Sequence, residues 1–434
     1  MNSDNLVRFA GHLYRYIRDP MPTNTHNDDI WCLGQRYDSH PEANPPESTQ
    51  PDSSLPSPPP ATSATESIPS DSATVPQKED EFETIQAQEA TNDNAWPPAF
   101  LDDLESRIWL TYRSNFSQIA KSTNPDASSS LSFRTRLMQL GNQGGFTSDT
   151  GWGCMIRSAQ SLLANTLQIL DLGRDWRKGD QTDAERRLLA LFADDPSAPF
   201  SIHRFVEHGT KACGKHPGEW FGPSAAARCI KALVDSHPSS GLRVYIRPDD
   251  SSVCEDSLMS IARAPDGSFQ PTLILLGTML GIRGVTPSYR EAIKAALRLP
   301  QSVGIAGGRP SSSHYFIGTQ ADHLFYLDPH TTRPLLPASP SEVDIASCHT
   351  RRLRLIPLEE MDPSMLLGFL LRNEEDWTNW KAAIEATPPT GTKSIIHVYK
   401  EELSLSGDTT EADYERAVAE VQSCDEDEED DAII

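Results

Sequence analysis

Positive charge is scarce in this chain: 38 lysines and arginines stand against 62 aspartates and glutamates, a formal charge of -24. Nucleic-acid binding depends on clustered Lys and Arg that neutralise phosphates, and anionic membranes attract basic segments. The balance argues against both and suits a basic or neutral protein partner. Apolar residues make up only 37%, so part of the chain is expected to enter no core. The rest is long enough to bury a substantial interior. No apolar run approaches the roughly 18 residues needed to span a bilayer. The opening MNSDNLVRFAGHLYRYIRDP lacks the continuous apolar stretch of a secretion signal, and Asp4 and Asp19 weaken a transit-peptide reading.

Several chemical signatures are also missing. The seven cysteines (Cys32, Cys154, Cys213, Cys229, Cys254, Cys348 and Cys424) are dispersed and form no CxxC. This disfavours a disulfide framework and, more strongly, a zinc finger. There is no HExxH, no GxSxG elbow and no GxxxxGK[ST] phosphate loop. The glycines of AGGRP (306–310) read as part of a turn and make no dinucleotide fingerprint. No metal and no cofactor is called for, and a reducing, cytoplasmic setting is the default.

What is present falls into four stretches. Residues 1–39 hold a short amphipathic helix over 5–19 and the run IWCLGQRY (30–37). Residues 40–94 are rich in Pro and Ser without helical or alternating apolar period, so they are expected to form a disordered insert. Residues 95–404 carry regular patterning, and 405–434 form an acidic tail ending in DEDEEDD and then AII. Within the main part, apolar spacing predicts a helix over 100–116 and another from about Cys154 to Gly173. Strands are expected at 242–248, 271–280, 314–320, 323–330 and 352–358, with a hairpin at Ala321-Asp322. Helices are expected over 288–299 and 362–386, the latter in one or two pieces. Helices first and strands later favour an α+β domain.

Two features carry chemistry. Cys154 follows the turn-rich TSDTGWG and opens a helix, where unpaired N–H groups and the helix dipole favour a thiolate. Gly151 and Gly153 remove bulk beside it. A buried structural thiol is the competing reading. Downstream, Asp328-Pro329-His330 places a carboxylate and an imidazole at i and i+2, on one face of a strand. Pro329 puts the pair at a strand end or edge. Such a carboxylate fixes the imidazole tautomer and frees the other ring nitrogen as a base; a surface ion pair is the alternative. Cysteine, acid and histidine together follow the nucleophile–base–orienter logic of thiol proteases. Spacing alone does not bring them together.

The runs TSDTGWGCMIRSAQSLLANTL (147–167), IWLTYR (108–113), GEWFGPS (218–224), LPQSVGIAGGRPSSSHYFIG (299–318) and FYLDPHTTRP (325–334) closely resemble the autophagins, the autophagy cysteine endopeptidases. The similarity is collinear over roughly 5–37 and 95–386. It implies an α+β, papain-like cysteine protease fold with a small additional subdomain. It implies cleavage after the C-terminal glycine of a ubiquitin-like autophagy modifier, both in its precursor and in its phosphatidylethanolamine conjugate, with membrane contact only through lipidated substrate; the lack of a coiled-coil or obvious interface pattern suggests a monomer. By motif match Cys154 is the nucleophile, His330 the base and Asp328 the orienting acid. Tyr112 assists the oxyanion hole, while Trp220, Gly307, Gly308 and Pro310 line the slot for the substrate tail. Core packing remains open for Tyr112 and Trp220, and an ordinary turn for Pro310.

One further motif comes from local chemistry. EDEFETI (79–85) sets Phe82 and Ile85 three apart after an acidic run, which suits binding of a ubiquitin-like modifier by strand addition. A non-catalytic modifier-binding protein and a deubiquitinase-like thiol hydrolase are the rival functions.

Overall fold

The computed structural model describes residues 21–39, 94–124, 127, 144–282, 284–309, 312–386 and 391–401. The expected helix over 5–19, most of the expected insert, the acidic tail, Pro310, and Phe82 with Ile85 lie outside these residues.

Fourteen strands and nine helices of mixed order make up the described residues, an α+β arrangement. In chain order the strands are β1 (Ile30–Cys32), β2 (Gln35–Tyr37), β3 (Arg113–Ala120), β4 (Gly145–Ser148), β5 (Arg243–Arg247), β6 (Ser252–Cys254) and β7 (Thr272–Met279). Then come β8 (Ser302–Arg309), β9 (Ser312–Gln320), β10 (His323–Leu327), β11 (Arg333–Pro334), β12 (Leu355–Pro357), β13 (Ser364–Leu371) and β14 (His397–Tyr399). The main sheet runs β12-β10-β9-β8-β13-β7-β5, and the β1/β2 hairpin joins it along β9. Its path is antiparallel except where β5 meets β7. A smaller sheet, β11-β3-β4, lies beside the start of the long helix Cys154–Leu172.

Both faces of the main sheet are covered. The long helix packs on β8 and β9 and shares one core with Val303, Tyr315, Ile317, Leu366 and Leu370. Ile305, Phe316, Met365, Leu367 and Phe369 point the other way, against the helices Arg290–Arg298 and Glu374–Glu385. Strands buried on both faces read as continuous apolar runs. That corrects the expectation of a helix over 362–386: SMLLGFLL is β13, held between β7 and β8, and only Glu374–Glu385 is helical. Gly368 marks the difference. A Cβ there would stand 2.8 Å from Val303 and 3.1 Å from Leu162 of the long helix, a close approach that suits a strand under a helix.

The helix expected over 100–116 is shorter as well. It spans Pro98–Glu105 and ends where Ser106 Oγ donates to the Asp102 carbonyl at 2.6 Å. Beyond it the chain is extended because polar side chains of the long helix satisfy its backbone. Asn165 bonds both the amide and the carbonyl of Ile108 at 2.9 Å, and Ser161 Oγ accepts from the Leu110 amide at 3.0 Å. Gln168 donates to the Ser106 carbonyl at 2.9 Å. Buried backbone must be paired, and these partners reward extension over a helix. Tyr112 therefore sits on an extended segment leading into β3.

The expected strands over 242–248, 271–280, 314–320 and 352–358 coincide with β5, β7, β9 and β12, and β9/β10 is the expected hairpin. AGGRP departs from its expected turn: Gly307 and Gly308 lie within strand β8, which ends at Arg309.

Candidate active site

The long helix begins at Cys154, with Gly153 as its N-cap and Gly173 as its C-cap. The turn before it closes around Asp149, whose carbonyl accepts from the amides of Gly153 at 2.8 Å and Trp152 at 3.2 Å. The Asp149 carboxylate fills the space beside Gly153, so a methyl group there would overlap it. This is why glycine must precede the cysteine. Cys154 is buried at 2% exposure, at the end of a helix of 19 residues whose first N–H groups are free of intrahelical partners.

The Asp328–His330 pair is assembled differently from strand alternation. Strand β10 ends at Leu327, and Asp328-Pro329-His330 turns. Asp328 Oδ1 accepts from the His330 amide at 2.9 Å and lies 2.6 Å from its Nδ1. The carboxylate thus folds back on the residue two places along, as short polar side chains do at turns. Trp109 Nε1 donates to the Asp328 carbonyl at 2.7 Å, and the Tyr112 amide donates to that of Pro329 at 2.9 Å. The extended segment 108–112 thereby anchors the turn.

Cys154 and His330 are electrostatically coupled, each shifting the other's titration. Burial pushes the thiol up, but the His330 hydrogen bond and charge, aided by the Ser313 backbone and the Tyr112 side chain, bring it below its ordinary value. Burial pushes the His330 imidazole down, yet its bonds to Asp328 and Cys154 raise it to about 9. Asp328 is also buried, but His330, by hydrogen bond and charge, and then the charge of His314 hold its carboxyl well below the usual carboxylate range. These opposed shifts favour a thiolate–imidazolium pair.

Around this pair, Tyr112 is buried and stands edge-on to His330, with ring centroids 5.4 Å apart. Gly307 pairs with His314 across the β8/β9 ladder, and its carbonyl accepts from Ser313 Oγ at 3.1 Å. Gly308 pairs with Ser313 in the same ladder. Trp220 stands half-buried on the loop before the helix Pro223–Asp235, packed against the core that holds the long helix.

Four further neighbours surround the pair without a signal in residue order. Ser312 Oγ lies 3.2 Å from His330 Nε2, and His314 Nε2 lies 3.9 Å from Asp328 Oδ1. Arg354 Nε approaches Asp328 Oδ2 at 3.8 Å, and Trp109 bonds the Asp328 carbonyl. Serines, a strand histidine and an arginine carry no signal at these separations; only the β8/β9/β10 and β12 pairing brings them together. His314, Asp328 and His330 each offer a donor atom within 4.8 Å of the others. Two ligands of one tetrahedral ion sit about 3.3 Å apart, and Asp328 Oδ1 to His330 Nδ1, at 2.6 Å, is closer than that. The contact is that of a hydrogen bond.

Residues 97–383 match the family described as the Peptidase C54 catalytic domain. The "Probable cysteine protease atg4" of Sclerotinia sclerotiorum is 52% identical over 434 residues, covering 96% of each chain. Its namesake in Botryotinia fuckeliana is 51% identical over 452 residues and 99% of each chain. In Aspergillus oryzae the figure is 51% over 419 residues, covering 93% of this chain and 95% of the other.

Proposed function

We propose that this chain, which belongs to the Peptidase C54 family and is a cysteine protease of autophagy, cuts the bond after the C-terminal glycine of a ubiquitin-like autophagy modifier. The observation that carries the reading is the 2.6 Å Asp328–His330 hydrogen bond, with that imidazole coupled electrostatically to a thiol, Cys154, at a helix start. Cys154 is the nucleophile, His330 the acid–base group and Asp328 its orienter. Thiolate attack on the glycine carbonyl expels an amine that takes its proton from His330, leaving a thioester. His330 then draws a proton from water as it attacks the thioester, releasing the glycine carboxylate and the thiol.

The developing oxyanion needs donors placed in advance. Tyr112, whose side chain helps to lower the Cys154 thiol, is one, and the N-terminal amides of the long helix are others. A slot walled by Trp220 and the Gly307-Gly308 backbone, closed by Pro310, admits glycine and excludes side chains. The same chemistry serves an amide to a following peptide and an amide to phosphatidylethanolamine, so both precursor and lipidated modifier are substrates. Among the described residues no helix is long and apolar enough to cross a membrane, and membrane contact comes through the lipidated substrate. Phe82 and Ile85 supply a further modifier contact. The working form is a cytoplasmic monomer.

The test is incubation of the protein with a modifier precursor extended beyond its glycine, followed by mass analysis. A single product ending at that glycine is expected. Uncut precursor, or cleavage elsewhere, overturns the reading.

A further inference from the structure

We propose that Arg157 is a positioning residue for the reaction, locking the turn that carries Cys154 and the segment that follows His330 into one register through Asp149 and Asp194. This rests on the reading of Cys154 as nucleophile and His330 as base.

Arg157 lies one turn into the long helix, and its amide makes the first helical bond, to the Gly153 carbonyl at 2.9 Å. Its guanidinium reaches in three directions, with Nη1 donating to Gln160 Oε1 at 3.1 Å on its own helix. Nε donates to Asp149 Oδ2 at 2.8 Å, and Nη2 stands 2.8 Å from Asp194 Oδ1, a charge contact whose N–H is not aligned along it. All three side chains are sealed from water, none more than 1% exposed.

Each carboxylate in turn grips a catalytic segment. Asp149 Oδ2 fills the space against Gly153, the residue before Cys154, while Oδ1 accepts from the Arg113 amide at 2.6 Å. Asp194 Oδ2 accepts from the Leu336 amide at 2.8 Å, and its own amide donates to the Leu336 carbonyl at 2.8 Å. Leu336 follows β11, which pairs in parallel with β3 at Arg113. The Arg333 amide also donates to the Tyr112 carbonyl at 2.9 Å. The ion chain Asp149–Arg157–Asp194 therefore joins the turn before Cys154 and β3 at Arg113 to Leu336, in the segment that follows His330.

A buried triad with two negative charges and one positive is a poor way to gain stability, since apolar residues of equal volume often do as well. What it supplies is direction. A guanidinium has a rigid planar fork that fixes where two carboxylates sit, and a sub-ångström drift between nucleophile and base is costly in rate.

The experiment uses the full chain with Arg157→Lys, which keeps the charge and loses the fork, and Asp194→Asn, which is isosteric and still accepts from Leu336. Three quantities are measured: iodoacetamide labelling of Cys154 against pH, mapped by mass; kcat and KM on an extended modifier precursor; and the near-UV circular dichroism. Both variants are expected to keep the wild-type dichroism and KM. Their kcat falls about tenfold or more, and the acid limb of labelling moves up by about one pH unit, the shift that a tenfold loss of thiolate produces. If Arg157→Lys does not fold, Asp194→Asn decides alone; if it too fails to fold, the triad is a structural clamp and the proposal fails. Folded variants with unchanged kcat and labelling profile also overturn it. Wild-type protein in which Cys154 is not the fast-labelling thiol overturns instead the assignment of the nucleophile.

Discussion

Asp328 Oδ1 accepts two hydrogen bonds from one residue, His330: the ring Nδ1 at 2.6 Å and the backbone amide at 2.9 Å. The turn that holds the imidazole and the contact that orients it are thus the same carboxylate oxygen. Removing that oxygen's charge disturbs tautomer and backbone together, which sets the scale of several outcomes below.

Cys154→Ala is expected to abolish cleavage while the modifier still binds, because in the proposed mechanism the sulfur forms the thioester and takes no part in recognising the modifier body. Mass analysis of extended precursor shows no product, and pull-down with the processed modifier is retained. Residual turnover by a clean Cys154→Ala preparation would remove the cysteine from the nucleophile role.

Asp328→Asn lowers kcat by about 10²- to 10⁴-fold, as expected when a base loses its orienting carboxylate. His330 also loses the Asp328 hydrogen bond and charge that help raise it to about 9, so the alkaline limb of kcat/KM moves down. An unchanged alkaline limb contradicts the assignment.

The pH profile of kcat/KM is expected to be a bell. Its acid limb follows the thiol, held below its ordinary value, and its alkaline limb follows His330 near 9. The linked stability has a fixed sign. His330 is raised above its ordinary 6.5, so its contribution is fully present below that value and is lost as pH climbs through about 9. Asp328, held low, contributes above the ordinary carboxylate range and loses its contribution as pH falls through its own lowered pKa. Urea unfolding at several pH values should show both slopes; stability rising from neutral pH through 9 in wild type, but not in His330→Ala, contradicts the first.

Tyr112→Phe keeps the ring edge-on to His330 but removes the hydroxyl that helps to lower the Cys154 thiol. A lost oxyanion donor costs about 10²- to 10³-fold in kcat, with KM nearly constant. A purely structural tyrosine would instead show altered stability at full kcat, read by thermal melting beside steady-state kinetics.

Gly153→Ala forces a methyl group onto the Asp149 carboxylate. Overpacking of this kind costs about 1–3 kcal/mol, and here the strain falls on the turn before the nucleophile. A lower melting temperature together with slower Cys154 labelling is expected. A variant equal to wild type in both would show that the turn yields freely.

Much of this was legible in residue order. The three- and four-residue apolar spacing after Cys154 marks a helix whose core face is continuous, and the structure begins it at that cysteine. Alternating strands and the β9/β10 hairpin were visible for the same reason: a half-buried element prints its period on the chain. SMLLGFLL printed none, since both faces of β13 are covered, and its apolar run passes equally for a helix. The 108–112 segment misled in the opposite sense. Its helical spacing is real, but buried Ser161, Asn165 and Gln168 of the long helix supply the hydrogen bonds that hold it extended.

The chemistry of the parts was therefore determined by sequence alone: a thiol at a helix start, an imidazole two residues from a carboxylate, and glycines where bulk is excluded. Their meeting was decided by tertiary structure. Cys154 and His330 are joined because the long helix packs across β8 and β9, and because residues 108–114 tie the turn after β10 to the same helix. Local patterns report how each residue meets its near neighbours and its burial. Which distant segments share a face depends on pairings such as Asn165 with Ile108 and Arg157 with Asp194, and no periodicity along the chain records those.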